Sequence, residues 1–171
     1  FYYLTGDYQP CVKEYGDLIA RYSADAAARN NLALCLTHLR DMPKAVEEMR
    51  QVVKVLPNRQ LYRANLALYS AYSGDFPAAE TEVRAMQPPD LFGLLARAFA
   101  QAGQGQIPQA AATYEGLAKI DDQGASYTAS GLGDLALFEG RYLEAARIFS
   151  QGAARDLTFK DTDRAANKFA A

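Results

Sequence analysis

Apolar positions recur along this chain in steps of three and four, the spacing that places side chains on one face of an α-helix. The recurrence is tied to a turn. A small or polar residue, a polar residue and an apolar residue repeat as Gly6-Asp7-Tyr8, Arg40-Asp41-Met42, Gly74-Asp75-Phe76, Gly105-Gln106-Ile107 and Gly140-Arg141-Tyr142. Three positions later stands a small residue: Cys11, Ala45, Ala79, Ala110 or Ala145. Four further on stands a larger one: Tyr15, Met49, Val83, Tyr114 or Phe149. The first three turns lie 34 residues apart and the next steps are 31 and 35. The short step follows a helix that Pro88-Pro89 ends early.

Another amphipathic helix precedes each of the last four turns, near Ala26 to His38, Leu61 to Ser73, Leu91 to Ala102 and Ser126 to Glu139. Each pairs with a second helix, near Pro43 to Val55, Pro77 to Met86, Pro108 to Ile120 and Leu143 to Ala154. Pro43, Pro77 and Pro108 fall in a first turn, where the missing N–H is harmless, and Pro57 lies just past a helix end. Small residues at Ala33, Ala67, Ala96 and Gly133 let the helices of a pair approach, while Leu32, Leu66, Phe99 and Leu132 fill the seam. Neither helix buries its stripe alone, so pairs must stack, which predicts an all-α solenoid. The flanks fit the same scheme, with a last helical turn at Phe1 to Leu4, a helix at Tyr8 to Arg21 and a new pair beginning at Asp163 to Ala171. The expected organisation is one array: the end of a repeat at 1–24, repeats near 25–58, 59–88, 89–124 and 125–158, and the start of another at 159–171. Both ends read as excision points within a longer array.

Composition narrows the function classes. Half of the residues are hydrophobic, enough for a core. Lys plus Arg number 18 against 20 Asp plus Glu, for a net charge of -2, so nothing draws the chain to phosphate polymers or acidic membranes. No nucleic-acid partner is expected. No run reaches the ~18 to 20 apolar residues of a membrane span. Cys11 and Cys35 sit inside apolar helical patterns and read as buried structural thiols, which favours a reducing, cytoplasmic location over a disulfide or redox pair.

The units Ala33, Leu36, Met42, Ala45, Met49, Val52, Pro57 and Phe92, Leu95, Ala96, Phe99, Ile107, Ala110, Tyr114 resemble the tetratricopeptide repeat (TPR) family. Departures are Ala33, Ala67 and Ala96 in place of the usual glycine of the first helix, and a longer turn at Gly103-Gln104-Gly105. The resemblance implies a right-handed α-α superhelix whose first helices line a concave groove for peptides or partner domains. Some family members hold a chaperone's C-terminal carboxylate with Lys, Asn and Arg side chains. The matching positions here are Asn30, Leu34, Asn65, Asp90 and Leu94, of which only Asn65 agrees, so a chaperone tail is not expected.

Projected onto that groove, the first helices present Asn30, Leu34, Thr37, His38, Asn65, Leu68 and Tyr72, then Arg97, Gln101, Tyr127, Ser130, Asp134 and Phe138. Aromatic residues mixed with Asn, Gln and Arg bury area and fix orientation through a few hydrogen bonds. Catalytic chemistry lacks a constellation. His38 is the one histidine, Cys35 its nearest companion for a metal, and no nucleophile motif surrounds either. Asp121-Asp122 and Glu47-Glu48 read as solvated carboxylates, and the glycines serve turning and close packing. The expectation is a non-enzymatic, cofactor-free interaction or scaffolding module. The alternative is a regulatory or sensory segment of a larger signalling enzyme.

Overall fold

A computed structural model describes residues 6–170. The helical turn expected at Phe1 to Leu4 and the final Ala171 lie outside the described residues. Within them the chain is helical throughout, in the order α1 (Tyr8–Arg21), α2 (Ala26–His38), α3 (Met42–Val55), α4 (Gln60–Tyr72), α5 (Phe76–Arg84), α6 (Leu91–Gly103), α7 (Ile107–Leu117), α8 (Asp122–Phe138), α9 (Tyr142–Thr158) and α10 (Thr162–Phe169). No strand occurs among the described residues.

The turns that carry the repeat work by one mechanism. Gly6, Arg40, Gly74, Gly105 and Gly140 all have positive φ, between 61° and 84°. At the last four, the next residue donates its N–H to a carbonyl five positions back: Asp41 to Leu36, Asp75 to Ser70, Gln106 to Gln101 and Arg141 to Ala136. A left-handed residue closed by that bond satisfies the orphan carbonyls of the preceding helix and reverses the chain. Arg40 does with a side chain what glycine does freely at the other four. Aspartates open many of the helices: the carboxylates of Asp25, Asp41, Asp75, Asp90, Asp121 and Asp161 each accept from the N–H three residues on.

Two boundaries differ from the sequence pattern by a full helical turn. α8 begins at Asp122 rather than near Ser126, because Asp121 caps it a turn earlier. α9 continues past Ala154 to Thr158, which carries Asp156 into the interior.

Contacts divide the chain into two compact units, the first ending at Ala100 and the second beginning at Gln101. In the first unit Leu32, Leu36, Val46, Met49, Val52, Leu66 and Tyr69 form the main core. Met49 and Val52 are fully enclosed, each burial contributing roughly 1.5–3 kcal/mol. Smaller clusters join Ala67, Val83, Met86 and Ala96, and Ala71, Ala79 and Ala100 with Phe76 and Phe99. In the second unit Phe149 packs with Ala136 and Ala145. Close approach requires the glycines there. A Cβ on Gly131 would lie 2.2 Å from Tyr114 Cε1, and one on Gly133 would lie 2.4 Å from Phe149 Cε1.

The cysteines correct the reading of free thiols: Cys11 and Cys35 form a disulfide. The register of α1 against α2 accounts for it. Tyr8 stacks on His38 with ring centroids 4.3 Å apart, and Asn31 Nδ2 donates to the Tyr15 hydroxyl at 3.1 Å. Cys11 and Cys35 are the rung between those two, so an antiparallel ladder brings the two buried side chains together. Both do lie in the apolar face, as their helical pattern implies.

Candidate functional site

The residues projected onto the first helices divide between the two units. In the first, α2 and α4 lie side by side, and Asn65 Nδ2 donates to Asn30 Oδ1 at 2.8 Å. Asn30 Nδ2 in turn donates to Asn31 Oδ1 at 3.3 Å, and Asn31 reaches Tyr15. A chain of polar groups therefore links α1, α2 and α4. Asn30, Asn31 and Asn65 are half-buried, so partial exposure leaves their unused positions open to a ligand. Among the described residues Asn65 Oδ1 accepts no hydrogen bond.

Apolar neighbours flank this strip. Leu34 and Leu68 are half-buried, and Leu68 packs against two core clusters. Tyr72 is 46 % exposed and meets Phe99 edge to face, with centroids 5.2 Å apart. That contact fixes its ring without hiding it. Arg97 on α6 is half-buried and forms no ion pair among the described residues. His38 is placed differently, since its ring is stacked on Tyr8 of α1 and occupied by that contact.

In the second unit, Gln101 Oε1 accepts from the Thr113 hydroxyl at 2.7 Å, and the Tyr127 hydroxyl accepts from Gln123 at 3.4 Å. Phe138 is 77 % exposed. Asp134 is exposed, and the hydration that its carboxyl loses to the neighbouring protein raises its pKa above the ordinary value. Of the sequence-projected residues, Asn30 and Asn65 are joined directly from one first helix to the next.

Several polar groups escape the sequence pattern. Lys168, Asp156 and Ser126 are buried together. Lys168 Nζ lies 2.6 Å from Asp156 Oδ2 and 2.8 Å from Ser126 Oγ, while Ser126 Oγ lies 3.1 Å from the same carboxylate oxygen. They tie α10 to α8 and α9. With each residue at most 5 % exposed, this is an internal clamp with no access for a substrate. The available sequence signal is Ala165 and Lys168, which share a face of α10 at a spacing of three. Asp90, which would oppose a carboxylate ligand, instead caps α6 through the N–H of Gly93 at 2.9 Å. Among the described residues no three His, Cys, Asp or Glu side chains converge as a metal site, and Cys35 is held in its disulfide. No helix among them is long and apolar enough to cross a membrane.

Comparison with solved structures sets this geometry among known folds. A tetratricopeptide repeat protein from Parabacteroides merdae superposes with a TM-score of 0.72 at 16% identity, over 98% of this chain and 72% of that one. MamA from Desulfovibrio magneticus RS-1 gives 0.67 at 16% identity, over 92% and 90%. PilW, described as a widely conserved type IV pilus biogenesis factor, gives 0.65 at 18% identity, over 99% and 86%. No protein-family model and no curated protein matches the sequence. The fold is the all-α helical-hairpin fold of tetratricopeptide-repeat solenoids.

Proposed function

We propose that the chain is a non-catalytic protein-interaction module and that the first unit receives an extended peptide, or a loop of a partner domain, along α2, α4 and α6. The observation that carries this reading is the Asn30–Asn65 pair. Two side-chain amides, bonded to each other at 2.8 Å, are held in a fixed orientation and retain unused hydrogen-bonding positions. A peptide backbone offers the matching N–H and C=O groups. Leu34, Leu68 and Tyr72 supply apolar area beside it, and Arg97 supplies a donor without a competing ion pair among the described residues. Preorganised polar groups set in partly apolar surroundings lower the ordering cost of binding. The structural neighbours support the reading, since one of them is named as a type IV pilus biogenesis factor.

The disulfide bears on where the module works. Disulfides persist in oxidising compartments and are rare in reducing ones. We infer an oxidising compartment in place of the cytoplasmic one that two cysteines in apolar patterns suggest.

Peptide selection against the immobilised chain tests the groove. Peptides recovered by the native protein should lose binding to an Asn65→Ala, Arg97→Ala double variant whose circular dichroism is unchanged. Undiminished binding by that variant removes this surface from the site.

A further inference from the structure

The repeats provide an internal comparison. Positions along α3, α4 and α5 in the first unit recur along α7, α8 and α9 in the second, with Val46 matched by Ala111, Arg50 by Glu115, Tyr69 by Leu135 and Asp75 by Arg141. In the first unit this place is filled. Val46 and Tyr69 belong to the core, at 4 % and 6 % exposure, and Arg50 Nη2 lies 3.5 Å from Asp75 Oδ2.

In the second unit the smaller Ala111 and Leu135 leave a cavity of about 320 Å³, with Ile107, Leu132 and Ile148 completing an apolar floor. The charges are exchanged as well, and the ion pair does not form. Arg141 instead binds Glu139 and Glu144 on either side of it, with Nη2 2.5 Å from Glu139 Oε2. Glu115 stands on the rim without an ion pair among the described residues. Three rim carboxylates thus face one guanidinium, so the rim carries excess negative charge over an apolar floor. The volume is at the lower end of ligand pockets, roughly 300 Å³ upward.

We propose that this pocket docks a segment of a partner protein that presents one large aliphatic side chain beside a lysine or arginine. The aliphatic group fills the space that Val46 and Tyr69 fill in the first unit. The basic group meets Glu115, taking the role that Arg50 plays toward Asp75. Excess negative charge repels acidic segments, so the rim selects as well as attracts. None of the residues assigned to the peptide groove lines this pocket, and the two surfaces stand or fall separately.

The test is titration of the full chain, followed by backbone-amide NMR, with the end-blocked tetrapeptide Gly-Leu-Arg-Gly and its counterpart Gly-Leu-Glu-Gly. The basic peptide should shift the amides of Ala111, Glu115, Arg141 and Glu144 and saturate in the millimolar range. The acidic peptide should leave them in place. Glu115→Lys should weaken binding by about fivefold or more, and Ala111→Leu, which fills the floor, should abolish it with the helical spectrum retained. Equal response to both peptides, unchanged affinity in either folded variant, or no shifts up to about 10 mM would overturn the proposal. Shifts of the same amides with protein concentration alone would assign the pocket to a second copy of the chain and overturn it too.

Discussion

Arg29 and Arg63 stand one repeat apart and make the same bracket. Each donates its Nε to a carbonyl six residues earlier, Ser23 or Pro57, and each sends Nη1 to a glutamate nineteen residues later, Glu48 or Glu82. One side chain thereby ties the entry of a first helix to its partner second helix. The side chains are only 19 to 23 % exposed, so removing the arginine leaves a half-dehydrated carboxylate and a carbonyl without their donor. Arg63→Ala should cost about 1–3 kcal/mol in urea unfolding, and Glu82→Gln in that background should add little. An additive double variant would show that the pair does not couple.

Glycines inside helices separate packing from propensity. Alanine normally gains about 1 kcal/mol over glycine in a helix interior. Nothing lies within 4 Å of a Cβ built on Gly16, whereas a Cβ on Gly131 would overlap the Tyr114 ring, which is 3 % exposed. Gly16→Ala should therefore stabilise by up to about 1 kcal/mol, and Gly131→Ala should destabilise by about 1–3 kcal/mol. Thermal melts of the two variants check the opposite signs.

The contrast explains how much of the molecule was legible in its sequence. Helix identity followed from spacing, because burial of Ala45, Met49 and Val52 on one stripe of α3 leaves a periodic trace. Turns were legible for a similar reason, since four of the five turns that carry the repeat have glycine at their left-handed position. The disulfide was not, because Cys11 and Cys35 fit an apolar stripe equally well as thiols, and only the register of α1 on α2 joins them. Nor was the Lys168 clamp, whose partners lie 12 and 42 residues away in sequence. The candidate site was half legible: spacing put Asn30 and Asn65 on the first helices, but their mutual bond and the capture of His38 by Tyr8 depend on tertiary placement.

The Lys168 clamp predicts a loss that hydrophobic replacement can reverse. Lys168→Met should cost about 3–5 kcal/mol, because it strands the buried Asp156 carboxylate. Adding Asp156→Leu and Ser126→Ala should recover much of that loss. Hydrogen exchange should show α10 losing protection in the single variant and regaining it in the triple one. A triple variant as labile as the single one would mean that α10 needs the ion pair itself.

Asp134 gives the stability a pH dependence of known sign. Partial desolvation raises the folded-state pKa of this exposed carboxyl above the ordinary 3.8, so the folded chain holds this proton to higher pH than the unfolded chain does. Stability from this group is full below 3.8, falls as pH rises through the window between the two values, and stays lower above it. Asp134→Asn should raise the melting temperature at pH 7 and lose that advantage near pH ~3. An equal gain at both pH values would locate the effect in packing.

Closing the loop between Cys11 and Cys35, which are 24 residues apart, should stabilise the fold mainly by restricting the unfolded chain. For a loop of that length the expected contribution is about 3 kcal/mol. Cys11→Ala with Cys35→Ala should therefore lower the unfolding midpoint, and a reductant should do the same to the native chain while leaving the double variant unaffected. Alkylation in denaturant supplies the covalent control: without reductant neither cysteine should be labelled, and with it both should be. Because Tyr8–His38 and Tyr15–Asn31 flank the bond, loss of protection after reduction should concentrate in α1 and the facing part of α2. A uniform loss across the first unit would mean instead that α1 is an inseparable part of its cooperative core.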